Sequence, residues 1–193
     1  MYNSFIGAEV IPKLSFEEFR QLPSDGKRYE LVGEEVHGTP DPATRHQAIV
    51  QNLSGNLWPH VIKNHLGEVW TAPLDVRLSG ETALQPDLVF ISNARPGIIQ
   101  ENWIVGAPDL VVKVLSPSTT NYDRATKLPI YADAGVPEVW LVDSQAKTLE
   151  VLKLQGRNYI LDASHAGDQV LPSHLFPGWR LPLRDLFDFR GRF

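Results

Sequence analysis

Apolar positions along the chain follow two spacings, and each spacing predicts its own kind of element. Phe16, Phe19 and Leu22 recur at three in the segment Ser15 to Leu22, which predicts a short helix. Ser15 and Glu18 have the spacing of a capping box, and Asp25-Gly26 stops the helix. Arg28 to His37 predicts two short strands around a turn, with Gly33 supplying the positive φ of a tight hairpin. In RYELV, Tyr29 and Leu31 face one way, Glu30 and Val32 the other, so Glu30 shares its face with an apolar residue. Ala43 to His65 is the longest predicted helix. Ile49, Val50, Leu53, Leu57, Val61 and Ile62 form its core stripe at spacings of three and four, and Pro59 predicts a kink or a restart.

Alternation and short apolar runs then predict strands over Glu68 to Leu78, Pro86 to Ser92 and Asp109 to Ser116. DLVFI and DLVVKVL are rich in Val and Leu, as in strands covered on both faces, so Lys113 in the second run is anomalous. Asp123 to Ala134 predicts a helix ended by Gly135, with an irregularity at Pro129. Glu138 to Asp143 reads as another central strand, and Thr148 to Leu154 with Arg157 to Leu161 as a hairpin around Gln155-Gly156. The tail is loop-rich, with PLRDLF a terminal turn. No repeat or linker divides the chain. The order of elements predicts one α/β or α+β domain, 1–193, with a central mixed sheet flanked by helices.

A length of 193 residues suits one such domain with a sizeable core. The absence of cysteine excludes disulfides, thiol nucleophiles and Cys-ligated metals, and fits a reducing, cytoplasmic setting. No apolar run approaches the ~20 residues of a membrane span, and MYNSFIGAEVIPK has neither the basic start nor the long apolar stretch of a signal peptide. A formal charge of −5 lacks the global signature of a nucleic-acid binder but leaves room for a local basic groove.

Three acid-bearing segments carry candidate chemistry: Glu30 in YEL, Asp87 in QPDLVF, and PDLVVKVLSPST from Pro108. Hard divalent cations need clustered carboxylate oxygens, and metal-assisted phosphodiester cleavage adds a metal-bound water and a cation near the phosphate. Each residue also has an ordinary reading. Asp87 would cap a strand, Glu30 would pair with Arg28 or Lys27, His46 would hydrogen-bond at a helix start, and Lys127 would be a solvated charge on an exposed helix. His37, His46, His60 and His65 match no compact zinc pattern. Ser116 and Ser118 in LSPS read as turn formers, and the five tryptophans as core.

The stretches RYELVGEEV (28–36), RHQAIVQNL (45–53), QPDLVFIS (85–92) and, above all, APDLVVKVLSPSTTNYDRATKLPIYADAGVPEVWLVD (107–143) resemble a bacterial family of restriction-endonuclease-like proteins within the PD-(D/E)XK nuclease superfamily. The resemblance implies that superfamily's mixed sheet flanked by helices. It implies a Mg²⁺- or Mn²⁺-dependent endonuclease acting on DNA, with Asp87 and Glu30 as metal carboxylates. The position that would hold the superfamily's catalytic Lys is Leu115 here, and the resemblance implies that this Lys moves onto the next helix, at Lys127. His46 matches the family's recurring His at the start of the long helix.

At one position the chain departs from the pattern. The family run usually reads VVEVLSPS, and its Glu supplies the second metal carboxylate; here that residue is Lys113. Two unit charges ~4 Å apart interact by about 4 kcal/mol at an effective dielectric of ~20, and Glu→Lys turns that attraction into repulsion. The chain is therefore expected to be an endonuclease of reduced or lost activity. The alternative is an inactive homologue that binds nucleic acid or protein as a homodimer, with Phe187 and Phe189 packing across a two-fold axis. A rearranged site, with metal on Glu30 and Asp87 and Lys113 on phosphate, is a further reading. Any DNA contact would lie near Arg45, Lys63, Arg124 and Lys127.

Overall fold

A computed structural model of the chain describes residues 10–11, 13–23, 26–117, 119–189 and 191. The expectations for Asp25, Ser118 and most of the N-terminal segment lie outside these residues. In chain order the elements are β1 (Val10–Ile11), α1 (Phe16–Phe19), β2 (Arg28–Val32), β3 (Glu35–Thr39), α2 (Thr44–Lys63), β4 (Gly67–Thr71), β5 (Val76–Ser79), β6 (Thr82–Leu84), β7 (Leu88–Ser92), β8 (Ile104–Val105) and β9 (Leu110–Leu115). There follow α3 (Thr120–Tyr122), a π-helical turn (Asp123–Lys127), α4 (Leu128–Ala134), β10 (Glu138–Asp143), β11 (Thr148–Gln155), β12 (Asn158–Ala166), β13 (Val170–Pro172), β14 (Arg180–Pro182) and α5 (Leu183–Leu186).

The main sheet has six strands in the order β12-β11-β10-β9-β7-β4. β9 and β10 run parallel, and the other pairs are antiparallel, so the sheet is mixed. Its centre is covered on both faces, as the apolar run of β9 requires. Leu110, Val112 and Val114 pack toward α2 and the C-terminal aromatics, with Trp140, Phe176 and Trp179 at the centre of that cluster. Val111 and Leu115 pack on the other side with Val76 and Leu84 of the second sheet and with Tyr131 of α4. That second sheet, β1-β3-β2-β6-β5-β8, carries α1 against its outer side through Phe16, Phe19 and Leu31. The mixed α+β architecture with helices flanking the main sheet is thus as the sequence predicts.

Several local expectations hold. Ser15 and Glu18 close the capping box, and Gly33 takes a φ of 56° in the β2–β3 turn. The predicted irregularity before Pro129 is the π-helical turn: Pro129 has no N–H, and the register loosens ahead of it. Gly135 ends α4 in the left-handed region at φ 82°.

Others are corrected. Glu68 to Leu78 is not one strand. It divides into β4 and β5 in different sheets, separated by a stretch containing Pro73, which cannot donate to a ladder. α2 continues through Pro59 without restarting, and Ile62 is 40% exposed, outside the core stripe of Ile49, Leu53, Leu57 and Val61. Trp58 and Trp70 lie at the surface rather than in the core. Phe187 and Phe189 are buried in the main core, so they offer no face to a second copy. No helix among the described residues is long and apolar enough to cross a membrane.

Candidate functional site

Asp87 stands just before β7, where the β7–β9 ladder ends. Its N–H donates to Val112 O at 3.1 Å. Its carboxylate then takes over from the ladder, because Val114 N–H donates to Oδ2 at 2.7 Å. Lys113 alternates with Val112 and Val114 and so emerges on the face that carries Val111 and Leu115. Its Nζ lies 3.0 Å from Asp87 Oδ2, with both side chains buried. His46, in the first turn of α2, brings Nε2 to 3.3 Å from Asp87 Oδ1. Burial pushes the Asp87 carboxyl up, but Lys113, His46 and the Val114 N–H outweigh it and hold the group well below the usual carboxylate range.

Glu30 comes from β2 of the second sheet and is 1% exposed. Its Oε1 accepts from Gln85 N at 2.8 Å, which ties β2 to the strand end that leads into Asp87. Its Oε2 lies 2.6 Å from Lys127 Nζ. Lys127 is buried, not solvated, and also meets Asp123 Oδ1 at 3.2 Å. Asp123 was not among the predicted residues, although its spacing of four from Lys127 on a helical segment is a legible pairing signal. Burial would lower the Lys127 ammonium, but Glu30 and Asp123 raise it above its ordinary value, so it stays a cation. Tyr122 and Tyr131 close over this group, with Lys127 Nζ 5.5 Å from the Tyr122 ring centre. Burial, then the Glu30 and Asp123 charges, push both hydroxyls up, so both keep their protons.

All five predicted residues, Glu30, His46, Asp87, Lys113 and Lys127, line one cavity of about 420 Å³, together with Asp123. The first turn of α2 borders it too. Ala43 at the N-cap offers no side-chain cap, and Arg45 and Arg28 stand at the rim. The predicted basic groove is only partly assembled. Arg124 pairs with Glu150 and lines a different pocket, and Lys63 sits at the far end of α2, about 27 Å along the helix from Arg45 at 1.5 Å per residue.

A divalent cation held by Asp87 and Glu30 does not fit this donor set. An ammonium on Asp87 Oδ2 repels it, and that oxygen already takes two donors. Both Glu30 oxygens are likewise engaged, one by a second ammonium. Among the described residues no three His, Asp or Glu side chains are placed to hold a metal. The cavity sets two buried ammoniums and an imidazole against three buried carboxylates, with the N–H groups of a helix start at its border.

The crystal structure titled "a putative nuclease belonging to DUF820" from Anabaena variabilis is similar to this chain, with a TM-score of 0.73 at 20% identity, covering 90% of this chain and 97% of that one. No curated protein matches the chain. A family model described as "Putative restriction endonuclease" matches residues 16–184, a span that holds Glu30, His46, Asp87, Lys113, Asp123 and Lys127. The chain belongs to that family, Uma2.

Proposed function

We propose that this member of a nuclease family binds DNA in the cleft around Asp87 and has lost most or all metal-dependent hydrolysis. The observation that carries this reading is the buried Asp87–Lys113 ion pair, 3.0 Å long, at the carboxylate to which the family resemblance assigns the metal. Membership of the family supports DNA as the ligand, as do the Arg28 and Arg45 guanidiniums at the cleft rim.

The test incubates the whole chain with duplex, nicked and single-stranded DNA, with Mg²⁺ or Mn²⁺ and with chelator. Binding without cleavage is the expected result, and Arg45→Glu at the cleft rim is expected to weaken binding about tenfold. Robust Mg²⁺-dependent cleavage that Asp87→Ala abolishes would instead establish the metal-dependent endonuclease. Failure to bind any of these DNAs would end the proposal.

A further inference from the structure

The cleft contains five ionisable side chains that are more than nine-tenths buried: the acids Glu30, Asp87 and Asp123, and the bases Lys113 and Lys127. Three carboxylates against two ammoniums leave one negative charge. A glutamate at 113 would make four carboxylates against one ammonium, a deficit of three, and a divalent cation would return that deficit to one. Lys113 alone therefore leaves the cleft with the same net charge as a glutamate loaded with a divalent ion. The Lys113 ammonium also sits against Asp87, the carboxylate to which the family resemblance assigns the metal.

We infer that Lys113 is a tethered substitute for the divalent cation: it gives the cleft the charge of a metal-loaded site, so that a DNA phosphate is bound without metal. The inference rests on the DNA-binding reading above and adds the identity of the group that meets the phosphate. An ammonium has three N–H donors, and Asp87 is the one polar partner of Lys113 among the described residues, which leaves donors for a phosphate oxygen. The first turn of α2 borders the same cavity, with Ala43 leaving its N–H groups without a side-chain cap, and such groups favour a phosphate oxygen. What Lys113 does not supply is a metal-bound water, so binding and hydrolysis separate in this chain.

The test measures binding of a fluorescently labelled DNA duplex to the whole chain by anisotropy, in chelator and in Mn²⁺, for wild type and Lys113→Glu. Wild type is expected to bind equally well in both conditions. Lys113→Glu is expected to bind about tenfold more weakly in chelator and to recover when Mn²⁺ is added. A titration of Mn²⁺ followed by electron paramagnetic resonance is expected to show an ion bound by the variant and none by wild type. Should Lys113→Glu not fold, wild type alone decides, by its indifference to Mn²⁺ in both measurements. Wild-type binding that needs Mn²⁺, or Lys113→Glu binding that matches wild type in chelator, would overturn the inference and leave DNA binding standing. Absence of DNA binding under every condition would overturn both.

Discussion

Lys113 lies in a strand whose every residue is buried, where a side chain of that charge is tolerated only with a partner. Asp87 is that partner, and Asp87 in turn takes the Val114 N–H and faces His46. Removing one member of a buried pair leaves the other charge unmatched, at a cost of about 3–5 kcal/mol. Lys113→Met is expected to lose stability in that range. The double variant Asp87→Asn/Lys113→Met is expected to lose less than Lys113→Met alone, because Asn keeps an acceptor for Val114 N–H and no charge is stranded. Single losses of Asp87→Asn and Lys113→Met that add up to the double variant's loss in denaturant melts would show that the pair is not coupled. The pH dependence follows from the same carboxylate. Its folded pKa is depressed, so its contribution to stability is complete above the unfolded value of ~3.9 and is lost as the pH falls. The gap in melting temperature between wild type and Asp87→Asn should therefore be widest at neutral pH and close below about pH 4. A gap that widens on acidification would contradict the ion pair.

At the scale of elements, one glycine sets how closely β4 and β7 approach. Gly67 opens β4 at φ 152°, and a Cβ there would lie 2.1 Å from Ile91 O across the β4–β7 pair. Gly67→Ala is expected to cost more than about 2 kcal/mol, through strain and through separation of the two strands. Gly135→Ala, in a left-handed position with open space around it, is expected to cost about 1 kcal/mol. Thermal melts of the two variants check the ranking, and an equal effect would place the β4–β7 contact outside the stability of the fold. The elements also show what periodicity conveys and what it does not. The runs DLVFI and DLVVKVL announced buried strands, and the capping box and Gly135 marked helix ends, because those signals are local. The division of Glu68 to Leu78 between two sheets was illegible, since alternation does not say which neighbour a strand joins. Lys127 looked like a solvated helix charge because its burial comes from Glu30 and Tyr122, which are distant or flanking in sequence and meet it only through the π-helical turn.

The whole molecule places two sheets so that each contributes one half of the cleft. β2 brings Glu30, the β7 approach and β9 bring Asp87 and Lys113, α2 brings His46, and the π-helical turn brings Asp123 and Lys127. Five of these six were singled out in the sequence through the family resemblance, whereas their pairing into Asp87–Lys113 and Glu30–Lys127–Asp123 required the tertiary fold. The net charge of −5 misleads in the same way: it averages over a surface and hides that two bases at the cleft's centre offset all but one of its three buried acids. The central claim is that Lys113 stands in for a divalent ion at Asp87. Its most direct test is a crystal of the wild-type protein soaked in Mn²⁺ and measured at the manganese absorption edge. The account predicts the Lys113 ammonium in contact with Asp87 and no anomalous peak in the cleft. A manganese peak between Asp87 and Glu30, with Lys113 turned away, would contradict it.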